Sequence, residues 1–117
     1  MEVTLDELLQ RLRDVTVLDV RTEREFTGAS GYPCDSRQGH IPGARHLDVQ
    51  EILELSPGGL RDAVGLPEGA EVVCYCHSGS RSAMAAAALR AAGYEASNYS
   101  GSWHEWSRRG DLPAEQG

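Results

Sequence analysis

Apolar positions fall into two kinds of stretch along this chain. At Leu5, Leu8, Leu9 and Leu12 they recur every three or four residues, which gathers them on one helix face. Thr4 with Glu7 forms a capping box just ahead, so a helix is expected to start there. Val15 to Val20 ("VTVLDV") and Ala70 to Cys76 ("AEVVCYC") are instead unbroken apolar runs rich in β-branched residues. Such runs predict strands buried on both faces. Thr22 and Glu25 make a second capping box and open a short helix through Phe26. Thr27 to Gln38, rich in Gly, Ser and Pro, predicts a loop. Gly39 to Asp48 predicts a turn running into a short strand, and Val49 to Leu55 a short helix. "SPGG" is expected to break that helix, leaving Leu60 to Val64 as a further turn. Ser82 to Ala92 predicts a helix stopped by Gly93. "YEASNY" reads as a weak strand and "SWHEWSRR" as a last short helix.

Strands alternating with helices imply an α/β fold in three layers, a parallel sheet of about five strands with helices on both faces. Ligands of such sheets bind beyond the carboxyl ends of the strands. The length of 117 residues suits one domain, expected to span 1–117, with no internal repeat or linker. Hydrophobic residues at 40% and charged residues at 25% are the ordinary globular mix.

Charge and residue usage narrow the function. A net charge of −7 argues against nucleic acid and against anionic membrane surfaces as partners. All 11 basic residues are arginine, so no lysine Schiff base can form. The first residues carry no signal-peptide pattern and no apolar run nears about 20 residues, so a cytoplasmic protein is expected. Three cysteines make no disulfide framework, and four scattered histidines show no zinc spacing. Neither metal nor cofactor is expected.

Cys76 ends the second apolar run, and a short polar loop separates it from the alanine-rich helix. Unpaired amides at a helix N-terminus carry partial positive charge, and the turn ahead of them makes an anion-binding nest. A thiol at its base has a lowered pKa and becomes a nucleophile near neutral pH. Gly79 permits the tight turn, Arg81 adds a permanent positive charge and Ser82 is placed to cap the helix.

Three motifs then stand in order: Asp19-Val20-Arg21 with Glu25-Phe26, Gly39-His40-Ile41-Pro42-Gly43-Ala44, and Cys76-x-x-Gly79-x-Arg81-Ser82. With "YSGSWHEW" near the end, the sequence resembles the rhodanese family of sulfurtransferases from about Leu18 to Trp106. The resemblance implies the rhodanese-like fold and a double displacement. The Cys76 thiolate attacks the outer sulfur of a donor such as thiosulfate, sulfite leaves, and a Cys76 persulfide passes its sulfur to cyanide or a thiol. The substrate-binding loop is then His77, Ser78, Gly79, Ser80, Arg81 and Ser82, supported by Asp19, Arg21 and Glu25.

The same fold serves dual-specificity phosphatases, whose loop holds one residue more between Cys and Arg. Here four residues, His77 to Ser80, intervene, a cradle that suits one sulfur atom better than a tetrahedral oxyanion. Phosphatase or arsenate-reductase chemistry is the less favoured alternative. A sulfur-relay or persulfide-sensing module serving a sulfur-accepting protein is another. The segment from Thr27 to Gln38 resembles an insertion in the catalytic C-terminal half of two-domain sulfurtransferases. The two donor-holding arginines of those enzymes are missing at the matching positions, occupied by Glu25 and by Tyr32-Pro33-Cys34. Arg24 and Arg37 lie nearby without an assigned place. Mercaptopyruvate is therefore less expected than thiosulfate or a protein persulfide.

Other residues divide between chemistry and architecture. Cys74 reads as core; it cannot bridge to Cys76, because residues i and i+2 of a strand lie about 6.5–7 Å apart. Cys34 reads as an exposed thiol, with a resolving or sulfur-accepting role as the alternative. His77 either assists the donor or faces solvent, and both readings stay open. Arg81 either steers anions or braces the loop against an acid at its base. Asp19, Arg21 and Glu25 read as bracing rather than acid–base groups. Trp103, Trp106 and His40 read as structural.

Overall fold

A computed structural model describes residues 1–117. The chain runs β1 (Glu2–Val3), α1 (Leu5–Arg11), β2 (Thr16–Asp19), α2 (Glu23–Thr27), β3 (Arg45–His46), α3 (Val49–Glu54), α4 (Pro57–Val64), β4 (Glu71–Tyr75), α5 (Ser80–Ala91), β5 (Glu95–Tyr99) and α6 (Ser102–Arg108). The five strands form one parallel sheet in the order β1-β5-β4-β2-β3. The three-layer α/β expectation holds.

Side-chain alternation divides β4 between two cores. Val72 and Cys74 join Leu18 and Ala96 under α3, α4 and α5, with Ile52, Leu60 and Leu89. Val73 and Tyr75 face the other way, against Leu5 and Leu8 of α1 and Trp103 and Trp106 of α6. A strand with apolar residues on both faces is thus the centre of the sandwich, as its unbroken pattern predicts.

Both capping boxes are present. Thr4 Oγ1 accepts from the Glu7 amide at 3.2 Å while Glu7 Oε1 accepts from the Thr4 amide at 2.9 Å. Thr22 and Glu25 repeat the exchange at 3.3 and 3.1 Å. Gly93, with φ +102°, ends α5 in the left-handed conformation expected of it.

Three sequence expectations are corrected. "SPGG" does not merely break α3; it starts α4, with Ser56 as N-cap accepting from the Gly59 amide and Pro57 in the first turn. Proline's missing N–H costs nothing at that position, so a breaker inside a helix becomes a starter at its end. Helix α5 begins at Ser80, two residues before the expected start. The edge strand β1 was not anticipated: its two residues are too few for any periodic signal, and pairing with Asn98 and Tyr99 of β5 defines it. No helix is long and apolar enough to cross a membrane.

Candidate active site

Parallel strands carry their carboxyl ends to one edge, where Cys76 follows β4 directly. Helix α6 fixes the backbone there. The Cys76 amide donates to Ser102 Oγ at 3.1 Å, and the Cys76 carbonyl accepts from the Trp103 amide at 2.9 Å. The next carbonyl, of His77, accepts from the His104 amide at 3.0 Å. Ser102 Oγ in turn donates to the Tyr99 carbonyl at 2.8 Å. Ser102 is the one non-glycine residue with positive φ, +56°, a conformation that costs energy and persists only where its surroundings impose it.

The loop then closes over the sulfur. The Gly79 amide donates to Cys76 Sγ at 3.1 Å and the Ser82 hydroxyl lies 3.3 Å from it. Gly79 has φ +100°, and a β-carbon there would sit 2.8 Å from the Ser100 carbonyl oxygen, so only glycine fits. Burial alone would push the Cys76 thiol up. The Ser82 hydroxyl and the amides of Ser82, Gly79 and Ser78 outweigh it, and the net shift is downward. At 1% exposure Cys76 lies at the floor of its loop. Cys74 shows the contrast: burial without such donors pushes its thiol up to about 12.

The expectation that Ser82 caps α5 is corrected. Gly79 holds the N-cap position with no side-chain cap, and Ser82 is fully buried in the first turn. Its hydroxyl bridges Cys76 Sγ and Asn98 Oδ1, the latter at 2.6 Å. Asn98 Nδ2 donates to the Gly79 carbonyl at 3.1 Å, closing the loop from behind. Ser80 starts the helix.

The supporting residues act as two separate pairs rather than one cluster. Arg21 binds Asp19 through Nε and Nη2, at 3.0 and 2.7 Å, and donates to the Gly39 carbonyl. Its guanidinium lies over the Tyr75 and Trp103 rings at 5.6 and 5.2 Å. Glu25 instead receives a two-pronged bond from Arg81, Nη1 to Oε1 at 2.9 Å and Nη2 to Oε2 at 3.1 Å. Burial opposes ionisation of Glu25, yet Arg81 and the Thr22 amide and hydroxyl draw its pKa from 4.5 down to about 2. Arg81 therefore braces the loop, the second of its two readings.

His77 does not face solvent. Its ring stacks on Tyr32 at 3.7 Å and its Nε2 lies 3.1 Å from Asp35 Oδ1, so the 27–38 segment folds onto the loop. Arg37 is remote from the sulfur's donors: it donates to the carbonyls of Ser107, Arg109 and Leu112 at the end of α6. Trp103 is fully buried and donates to the Arg37 carbonyl, the packing role expected of it. His40 stacks on Phe26 at 3.8 Å and bonds the Phe26 carbonyl, a structural role.

Sequence reasoning missed Ser102, Asn98, Asp35 and His104. Asn98 had no distinct signal, since Glu95 and Ser97 beside it make β5 read polar throughout. Ser102 had none, since nothing in its type marks a left-handed backbone.

Comparison with known proteins agrees with this geometry. The family model described as "Rhodanese-like domain" matches residues 4–109. The crystal structure of a probable thiosulfate sulfurtransferase superposes with a TM-score of 0.85 at 46% identity, over 97% of this chain and 46% of that one. A thiosulfate sulfurtransferase of Corynebacterium glutamicum is 35% identical over 88% of this chain and 39% of its own length. A sulfurtransferase of Allochromatium vinosum is 34% identical over 93% of this chain and 90% of its own. The chain spans about two fifths of the first curated relatives it matches, 39% in the Mycobacterium tuberculosis and C. glutamicum proteins. Motif order, sheet order, loop geometry and these matches agree, and the chain belongs to the rhodanese family.

Proposed function

We propose that residues 1–117 form a single rhodanese-like domain that transfers sulfane sulfur from a donor such as thiosulfate to a thiophilic acceptor through a Cys76 persulfide. The observation that carries this reading is a buried sulfur receiving hydrogen bonds from the Gly79 amide and the Ser82 hydroxyl, with its pKa lowered against burial. Those donors favour the thiolate that must attack. Thiolate attack on the outer sulfur of thiosulfate forms an S–S bond, and the donor's own S–S bond breaks with its electron pair leaving on sulfite. The Cys76 persulfide then carries the sulfur. The Gly79 and Ser82 donors meet Sγ, where charge sits before attack and returns when the acceptor takes the sulfur. The acceptor, cyanide or a thiol, attacks the outer sulfur and releases the thiolate.

Relatives named thiosulfate sulfurtransferase support thiosulfate as the donor. Intact mass after incubation with thiosulfate tests the reading. Wild type is expected to gain about 32 Da, one persulfide sulfur, that cyanide removes as thiocyanate. Cys76→Ser is expected to gain nothing and to lose turnover. A wild type that gains no mass, or a serine variant that keeps activity, overturns it.

A further inference from the structure

Three distant segments meet beside the sulfur loop and bring metal-ligating groups together. Cys34 and Asp35 come from the 27–38 segment, His77 follows Cys76, and His104 lies on α6. Asp35 Oδ1 lies 3.1 Å from His77 Nε2 and 3.0 Å from His104 Nδ1. Cys34 Sγ lies 3.9 Å from His77 Nε2 and 4.0 Å from Asp35 Oδ1. All four donor atoms fall within 4.8 Å of one another. The Asp35 side chain is 1% exposed, whereas Cys34 is at the surface, so the cluster has a buried anionic floor and an open mouth.

We propose that Cys34, Asp35, His77 and His104 bind a zinc-class divalent cation, which ties the 27–38 segment to the sulfur-bearing loop and to α6. One thiolate, one carboxylate and two imidazoles are a donor set that zinc accepts and that calcium or magnesium, which take oxygen ligands, do not. Bond lengths of about 2.0–2.3 Å place the ligand atoms of a tetrahedral zinc site about 3.3–3.6 Å apart. Four of the six separations, 3.0 to 4.0 Å, straddle that value and the other two lie within 4.8 Å, so side-chain shifts of about an ångström close the tetrahedron.

The surroundings are already oriented for it. Stacking on Tyr32 holds the His77 plane, and the His104 ring meets His77 edge-on with centroids 5.3 Å apart. The Asp35 carboxylate has the two imidazoles as its bonded partners and no guanidinium. Binding replaces those imidazole contacts with metal bonds. The Cys34 thiol proton leaves to solvent, the ring protons that face Asp35 pass by exchange with solvent to His77 Nδ1 and His104 Nε2, and two anionic ligands balance the divalent charge. The site shares no ligand atom with the Cys76 sulfur, whose donors are Gly79 and Ser82. It therefore does not depend on the sulfur-transfer reading. Its donors lie 42 and 69 residues from Asp35, which is why the sequence shows no zinc spacing.

Cobalt(II) titration of chelator-treated, reduced protein tests the proposal, with far-UV circular dichroism to establish that each variant is folded. One equivalent is expected to bind with the intense visible bands of tetrahedral cobalt and a near-ultraviolet thiolate-to-cobalt band, and zinc is expected to displace it. Cys34→Ser, a near-isosteric change at the surface, is expected to lose the thiolate band. It and His104→Ala should each weaken binding by more than about 100-fold, the upper range for loss of an outer-shell partner. Cys76→Ser is expected to retain stoichiometry and spectrum. Absence of stoichiometric binding, a thiolate band surviving in folded Cys34→Ser, or its loss in folded Cys76→Ser overturns the proposal; the last places the cation on the nucleophile instead.

Discussion

Ser82 illustrates how much chemistry one residue carries when burial removes its competitors. In water its hydroxyl would be one donor among many. Here it reaches a sulfur that burial would otherwise keep protonated. Ser82→Ala leaves the three amides in place and removes the hydroxyl. The pH midpoint for alkylation of Cys76 is expected to rise by about 1–2 units, the equivalent of about 1.5–3 kcal/mol for a hydrogen bond to a charged group. The thiolate fraction at neutral pH then falls. A pH–rate profile with iodoacetamide checks this, and an unmoved midpoint would show that the amides alone set the sulfur's charge. The role was half legible in the sequence. Cys76, Gly79 and Arg81 announce themselves by spacing. Ser82 looks like a cap by position, and only the helix starting at Ser80 turns it inward.

Between elements, the Arg81–Glu25 pair joins the first turn of α5 to α2. Glu25 also closes its own capping box, so one carboxylate fastens a helix start and the Cys76 loop. The motif pair Thr22 and Glu25 made the box visible in the sequence; the long-range partner was visible only as an alternative for Arg81. Glu25 has its pKa drawn down from 4.5 to about 2. A group depressed in the folded state stabilises above its unfolded pKa, and that stability is lost as pH falls through the folded one. Wild type is therefore expected to lose stability progressively as pH falls from 4.5 towards 2. Glu25→Gln should lack this component and be about 1–2 kcal/mol less stable at neutral pH, the lower part of the range because Arg81 is partly exposed. Urea denaturation at several pH values measures both; parallel profiles for the two proteins would assign the acid sensitivity elsewhere.

At the scale of the molecule, the sheet and its two cores were legible because they rest on long apolar runs, and the site's frame was not. Helix α6 and the 27–38 segment contribute Ser102, His104 and Asp35 through contacts between residues far apart in sequence, which no periodicity encodes. Trp103 joins these levels. It fills the core against Tyr75 and Tyr99, lies over Arg21, donates to the Arg37 carbonyl and hangs its amide on the Cys76 carbonyl. Trp103→Ala is expected to cost about 3–5 kcal/mol of folding stability, as for other large buried aromatics. It should also slow persulfide formation, because the backbone that aims the sulfur loses its docked helix. Denaturant unfolding and the rate of mass gain with thiosulfate measure the two effects. Full stability loss with an unchanged rate would separate α6 packing from the aim of Cys76.

The Ser82 hydroxyl has one proton and two acceptors, Cys76 Sγ and Asn98 Oδ1. Whenever the sulfur claims that proton, the Asn98 carbonyl gives it up, and the rest of the carboxamide feels the change while holding the Gly79 carbonyl and Glu2. A change in the sulfur's charge is thus passed to an amide on the far side of Cys76. An isotope-labelled Asn98 side chain would serve as an internal gauge of the sulfur's charge, readable by magnetic resonance without touching the thiol.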